Sequence, residues 1–263
     1  MTMKKAILFI LAAAALTMTG CTKDDNKASQ PAVKSLSMDT ISGGVSILTS
    51  TTTPTYDANG RLIGLYTEVN SPSIGNISKS TTTFEYDDAS HTAVVTSNTE
   101  SQLSDGPYTT NYHFDSNWKV LEIRDDDGYG LTYTYDGDRL YSFSRGASMV
   151  KSSEWKITWT GDDITKIEDE SATTTLTYTT EANPFTKGLD PIGDDLLTTE
   201  SLLGLTGRRT AHLPETSSTV TSLGGSSEFV FEYKKDDRGR IVEISKKGVG
   251  KSEGKGSVYR IEY

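Results

Sequence analysis

Tyr133-Thr134-Tyr135-Asp136-Gly137-Asp138-Arg139-Leu140 is the stretch on which the fold turns. Residues two apart on a strand share a face, so Leu131, Tyr133 and Tyr135 lie on one side while Thr132 and Thr134 lie on the other. One face is apolar and one is wet. Asp followed by Gly supplies the positive φ angles and the side-chain-to-backbone hydrogen bonds that reverse a chain, so the segment reads as a strand, a turn and a returning strand.

The same unit recurs outward in both directions. Towards the N-terminus it appears as Tyr112-His113-Phe114-Asp115-Ser116-Asn117, Phe84-Glu85-Tyr86-Asp87 and Tyr56-Asp57-Ala58-Asn59-Gly60-Arg61-Leu62. Towards the C-terminus it appears as Ile157-Thr158-Trp159-Thr160-Gly161-Asp162-Asp163-Ile164, Leu176-Thr177-Tyr178, and Phe231-Glu232-Tyr233 leading to Asp237-Arg238-Gly239-Arg240-Ile241. The chain stops on Tyr259-Arg260-Ile261-Glu262-Tyr263. Spacing of roughly 19 to 30 residues is too loose for a solenoid, whose stacked repeats keep one length. After the last turn, simple alternation sets Arg240, Val242 and Ile244 against Ile241 and Glu243. The expectation is an all-β chain: an antiparallel meander of roughly twelve to fourteen strands of about six residues, forming a curved sheet or a closed, barrel-like sheet.

One stretch lacks the unit. Between Glu181 and Gly225 the alternation disappears, and Asp194-Asp195-Leu196-Leu197-Thr198-Thr199-Glu200-Ser201-Leu202-Leu203-Gly204 carries acidic residues at its start and Gly at its end. These are helix signals, so residues 181–225 read as a non-repetitive insertion with one short helix, either a plug over one end of the sheet or a ligand-facing lid, with plug favoured.

Composition agrees with a folded β domain. The 263 residues are 34% hydrophobic and 24% charged, rich in Thr and Ser, with a single cysteine. A formal charge of -10 and a pI near 4.8 oppose nucleic-acid binding, which needs a basic stripe.

The N-terminus reads as an address. Residues 1–20 form a signal peptide, with Lys4 and Lys5 ahead of an eleven-residue apolar run, Ala6 to Leu16, too short to span a membrane. Leu16-Thr17-Met18-Thr19-Gly20-Cys21 resembles a bacterial lipobox, with Met18 where Leu is usual. That resemblance implies cleavage before Cys21 and a diacylglycerol on its sulfur. Thr22-Lys23-Asp24-Asp25 resembles the export tag of Bacteroidota surface lipoproteins, so Lys23, Asp24 and Asp25 are expected to direct the chain to the cell surface, the periplasmic face being the alternative. Residues 21–33 are then the lipidated Cys and a flexible tether, and residues 34–263 a single β domain. Without Lys4 and Lys5 the mature chain has 24 basic against 36 acidic residues, a formal charge of -12. Acyl chains rather than a basic patch must therefore hold it at the membrane.

Tyr56-Asp57-Ala58-Asn59-Gly60-Arg61-Leu62 is similar to the tyrosine-aspartate repeat of large bacterial shell proteins, which are longer and more regular. Lipobox, hairpins of this type, Asn183-Pro184-Phe185 and Arg208-Arg209-Thr210-Ala211-His212-Leu213-Pro214 together resemble a Bacteroidota lipoprotein family of unknown function with a porin-like fold. The resemblance implies a curved or closed antiparallel sheet and carries no catalytic residues. A membrane-spanning barrel is not expected, because such strands need about 9 to 11 residues and an apolar outer band. Here the strands read as shorter and the second face is Thr, Ser, Lys and Glu.

No catalytic residue stands out. His91, His113 and His212 lie far apart with no metal-ligand spacing, and His113, between Tyr112 and Phe114, should face solvent. Asp125-Asp126-Asp127-Gly128, Asp136 with Asp138, and Asp236-Asp237 offer calcium-like oxygens, but none completes a calcium loop and all read as turns. Neither cofactor nor metal is expected. With 36 acidic residues, carboxylate pairs are too common to indicate a glycosidase. The expectation is a non-enzymatic binding module for a glycan or a partner protein. A structural or assembly component of the envelope, an acyl-chain carrier and a glycoside hydrolase are the alternatives.

Overall fold

The computed structural model describes residues 33–72, 76–100, 106–147, 150–185, 189–196 and 199–263. Sixteen strands form one closed barrel in which each strand pairs with its sequence neighbours and the last closes on the first. They are β1 (Ser35–Ser42), β2 (Val45–Tyr56), β3 (Leu62–Ser71), β4 (Asn76–Asp87), β5 (Thr92–Glu100), β6 (Tyr108–Phe114), β7 (Val120–Asp125) and β8 (Tyr129–Asp136), then β9 (Arg139–Ala147), β10 (Val150–Thr160), β11 (Asp163–Glu168), β12 (Ala172–Ala182), β13 (His212–Thr221), β14 (Ser226–Lys235), β15 (Ile241–Val249) and β16 (Gly256–Glu262). Closure is made by β1 on β16, with Leu36 opposite Ile261 and Met38 opposite Tyr259. Every pairing is antiparallel, so the even-numbered strands all run towards one end, where both termini of the described chain also lie.

The alternation read from the sequence places the apolar set inside. Phe84, Tyr112, Tyr133, Ile157, Leu176, Phe231 and Ile261 are buried on successive even-numbered strands, while Thr83, Glu85, Thr134, Lys156, Thr158 and Glu232 are exposed outside. Cross-strand ion pairs such as Lys79–Glu68 (3.2 Å) and Lys234–Glu243 (2.6 Å) decorate this outer face. A barrel that spans a bilayer has the reverse arrangement, with an apolar band outside. The expected strand length needs correction: strands run from 6 to 12 residues. Length therefore does not separate this barrel from a spanning one, and the polarity of the outer face does.

Two further expectations change. The returning strands do not alternate simply, because five hairpins carry a register shift just inside the turn, for example between Thr158 and Trp159 and between Lys234 and Lys235, and β12 and β13 pair with a similar shift across the insertion. An extra residue at each bulge moves the buried set to a spacing of three. Ile241 and Ile244 are both buried, as are Val120 with Ile123 and Ile164 with Ile167, so Ile241 does not face away from Ile244. In the β4–β5 hairpin no shift occurs, and there Ala93 and Val95 keep the spacing of two. Among the described residues the stretch without strands spans only 183–211, since β13 occupies the second half of the expected insertion, and these residues form two short helices, α1 (Pro191–Leu196) and α2 (Thr199–Leu202), where one is expected. Leu189, Ile192, Leu203 and Phe185 are buried in the barrel's core. The insertion is a plug.

Candidate functional site

At the plugged end each even-numbered strand finishes on one aromatic residue: Tyr56, Tyr86, Phe114, Tyr135, Trp159, Tyr178, Tyr233 and Tyr263. Six of them donate to a backbone carbonyl at the start of the preceding strand. Tyr86 donates to Leu62 (2.9 Å), Tyr135 to Val120 (2.7 Å), Trp159 Nε1 to Leu140 (2.9 Å), Tyr178 to Ile164 (2.6 Å), Tyr233 to Pro214 (2.7 Å) and Tyr263 to Ile241 (2.9 Å). All six acceptors sit at the bulges, where the ladder is interrupted and a carbonyl needs another donor. The β4–β5 hairpin has no bulge, and the aromatic facing it is Phe114, which has nothing to donate. The Tyr56 hydroxyl, at the end of β2, is buried beside the Leu189 amide without a formed hydrogen bond among the described residues.

In the units at Asp57, Asp87, Asp115 and Asp236 the Asp caps the turn. Asp57 Oδ1 accepts from the amides of Asn59 and Arg61 (both 2.8 Å), and Asp236 Oδ1 accepts from those of Arg238 and Arg240 (both 2.9 Å). Gly60 and Gly239 carry the positive φ this turn requires. The cation after the turn pairs with the Asp and covers the next ring: Arg61 lies 4.9 Å from the Tyr86 centroid, Lys119 4.7 Å from Tyr135 and Arg240 4.9 Å from Tyr263. Burial pushes the Tyr86 phenol up to about 12 and raises that of Tyr178 further, so both remain neutral donors at physiological pH. The repeat is thus a structural clamp.

A binding site must be sought inside the barrel. From the plug towards the opposite end, the lumen changes from aromatic to hydroxyl-lined, with inward pairs Thr52–Thr67 (3.2 Å), Thr82–Ser97 (2.9 Å) and Thr174–Thr219 (2.8 Å). A cavity of about 530 Å³ occupies this half, with Glu200 of α2 on its floor, Phe143, Trp155, Leu131 and Ile167 on its walls, and Arg145 and Asp169 near its mouth. Phe143 stacks on Trp155 at 4.8 Å and 11°, which backs and stiffens that indole. Glu200 is 7% exposed and accepts from two phenols, Tyr112 (3.3 Å) and Tyr133 (2.7 Å). Burial, with the Glu200 charge next, raises the Tyr112 phenol well above its ordinary value, so it stays a donor. Burial works against the Asp169 charge, but the Ser171 hydroxyl and the Ser171 and Ala172 amides outweigh it and hold the carboxyl below its usual value.

A second cavity of about 750 Å³ lies at the plugged end, between the plug and the turns. Both segments singled out in the sequence line it, through Asn183 and Phe185 on one side and Arg208, Arg209 and Thr210 on the other. Its cations are engaged: Arg208 with Asp162 (3.0 Å), Arg209 with buried Asp190 (3.6 Å), and Arg61 with Asp57 and Asp88. Among the described residues only His91 and Trp118 combine a side chain with positive φ, at +53° and +61°, and their rings lie 5.3 Å apart at this rim. Tyr86, Phe114 and Arg61 also pack on Trp118, so its ring is a structural contact.

The histidines are scattered, as their spacing indicates. His91 packs at a tilt on Trp118, His113 is exposed, and His212 meets Asp163 at 2.7 Å. Asp125 and Asp236 direct their carboxylates into their own turns. Cys21, Lys23, Asp24 and Asp25 lie outside the described residues. Trp155, Arg145, Asp169 and Glu200 were not singled out from the sequence. Trp155 is one more aromatic on an alternating strand, two residues before Ile157, and no local signal marks Glu200 as part of a lumen wall built by distant strands.

Among solved structures, a porin-like protein from Bacteroides uniformis superposes with a TM-score of 0.63 at 17% identity, over 88% of this chain and 98% of that one. The fold is porin-like. A second porin-like protein, from Bacteroides vulgatus, aligns over 89% of this chain and 99% of that one at 13% identity with a TM-score of 0.28, too low to carry an argument. No protein-family model matches the sequence, and no curated protein matches it. A porin-like barrel is compatible with association with an outer membrane, and at this identity the likeness speaks for fold alone.

Proposed function

We propose that the protein is a non-catalytic binding lipoprotein of the Bacteroidota outer membrane, anchored through Cys21, displayed at the cell surface under Lys23, Asp24 and Asp25, and holding a glycan end in its lumen cavity. The observation that carries this reading is the cavity: a flat indole backed by Phe143, set among polar groups in a hydroxyl-lined mouth. Sugar rings present an apolar face edged by hydroxyls, and a stacked aromatic with nearby charged groups complements both. Because β1 begins at the plugged end, a tether leaving from there lets the cavity mouth point away from the membrane.

The alternatives fit the cavity less well. An acyl chain would set hydrocarbon against Glu200, Arg145 and Asp169, at the cost of stripping water from charges. A hydrolase needs two carboxylates aimed at the scissile bond, whereas Asp169 is spent on capping its own turn.

The test is fluorescence. Trp118 and Trp159 are engaged with the belt, so Trp155 is the indole a lumen ligand reaches. Titration with a panel of oligosaccharides should quench and shift emission for at least one, and Trp155→Ala should lose at least tenfold in affinity for it. A panel with no response would move the reading to a structural role in the envelope.

A further inference from the structure

Glu200 is the most demanding group in the lumen. It is a carboxylate more than nine-tenths buried, on the plug, lining the cavity. Each oxygen accepts one phenol hydroxyl, and among the described residues no lysine or arginine lies within ion-pair distance of it. Two neutral donors only partly replace the water and counter-charge that a buried carboxylate gives up. A carboxylate has about four acceptor positions, so the cavity side retains capacity for a further donor. Among the described residues the charges on the cavity wall point the same way, with one cation, Arg145, against two carboxylates, Glu200 and Asp169. The other inward cation, Lys246, lies over the Phe229 and Phe231 rings at 5.0 and 5.7 Å, on the β14–β15 wall.

We infer that the lumen cavity selects a ligand whose buried end carries a protonated amine, an amino sugar being the class that also suits Trp155, and that Glu200 is its counter-charge. The inference rests on the binding reading above and adds its chemical class. An ammonium placed against Glu200 forms the charge-assisted hydrogen bond that the two phenols do not supply, in a site shielded from water where such a bond is strong. An N-acetylated sugar offers only a neutral amide, and an acidic sugar brings a second negative charge to the floor.

Calorimetric titration of the purified protein tests this, using a glucosamine tetramer, its N-acetylated counterpart, a neutral glucose tetramer, a galacturonate tetramer and a simple diamine at a pH where the amines are protonated. The glucosamine tetramer should bind about tenfold or more tighter than the N-acetylated one, and Glu200→Gln should bring the two within about twofold. Gln keeps an acceptor for the phenols, and a retained thermal midpoint confirms folding. Arg145→Gln, at an exposed position, should widen the preference for the amine. Equal binding of amino and acetylated tetramers overturns the inference while leaving the glycan reading standing, and preference for galacturonate does the same. Binding of the diamine without any saccharide supports the anionic floor and overturns the glycan class. No binding by any of the five overturns both.

Discussion

A phenol hydroxyl reaching a bulge carbonyl is the smallest part that explains the repeat. Where the hairpin has a bulge, the facing aromatic is Tyr or Trp and donates; where it has none, the residue is Phe114. Removing one donor leaves a carbonyl unsatisfied near the core, which costs about 1–3 kcal/mol. Tyr178→Phe should therefore lower the unfolding free energy measured in urea by that much, whereas Phe114→Tyr should bring no gain. Asp236 acts at the same scale. The Arg240 side chain, then its amide, hold the Asp236 carboxyl below the ordinary 3.8, so the stability it contributes is present above that value and is lost as pH falls through the lowered one. Asp236→Asn should lower stability at pH 7 and make less difference once the pH has fallen through the lowered value, measured by urea titration at neutral and acid pH. The aromatics and aspartates of the clamp were legible in the sequence because their periodicity is local. The bulges were not, since a one-residue slip is set by two strands together, and this is why Ile241 and Ile244 share a face that simple alternation would divide.

At the scale of elements, the plug and the β7–β8 hairpin are places where packing is exacting. Leu189 is fully buried between plug and wall, and Leu189→Ala should cost about 2–5 kcal/mol by removing apolar contact and leaving a cavity. Gly130 on β8 is needed for close approach rather than for its φ: a Cβ there would meet the Ile123 carbonyl oxygen at 1.9 Å. Gly130→Ala should force the β7–β8 pair apart and lower the unfolding midpoint in calorimetry, with the same change at the open turn residue Gly161 serving as a strain-only comparison. That an insertion exists was legible from the loss of alternation and the Asp and Gly helix signals. Its length was misjudged because β13 reads His212-Leu213-Pro214-Glu215, where a proline and an acidic residue mask a strand. Its role as the floor of the lumen cavity depends on where the wall strands place Tyr112 and Tyr133, and nothing near Glu200 in the chain records that.

For the whole molecule, the arrangement is a porin-like barrel with its apolar face turned inward. Sixteen strands enclose a space wide enough for a channel, and here it is filled at one end by aromatics and the plug and left polar towards the other. The closed form follows from eight similar hairpins that each leave one apolar face to bury, and closure also removes the sheet edges that would otherwise pair with other chains. Fold class and outer-face polarity were readable from alternation. Closure was one of two forms that the alternation allowed, since the pairing of β1 with β16 is a contact between the chain's extremes. The most direct test is sedimentation of the chain from Thr22 to Tyr263, without its acyl chains, in buffer with and without detergent. An inward-facing apolar core predicts one monomeric species that binds no detergent and sediments alike in both. Aggregation in plain buffer, relieved only by a detergent belt around the barrel, would contradict it.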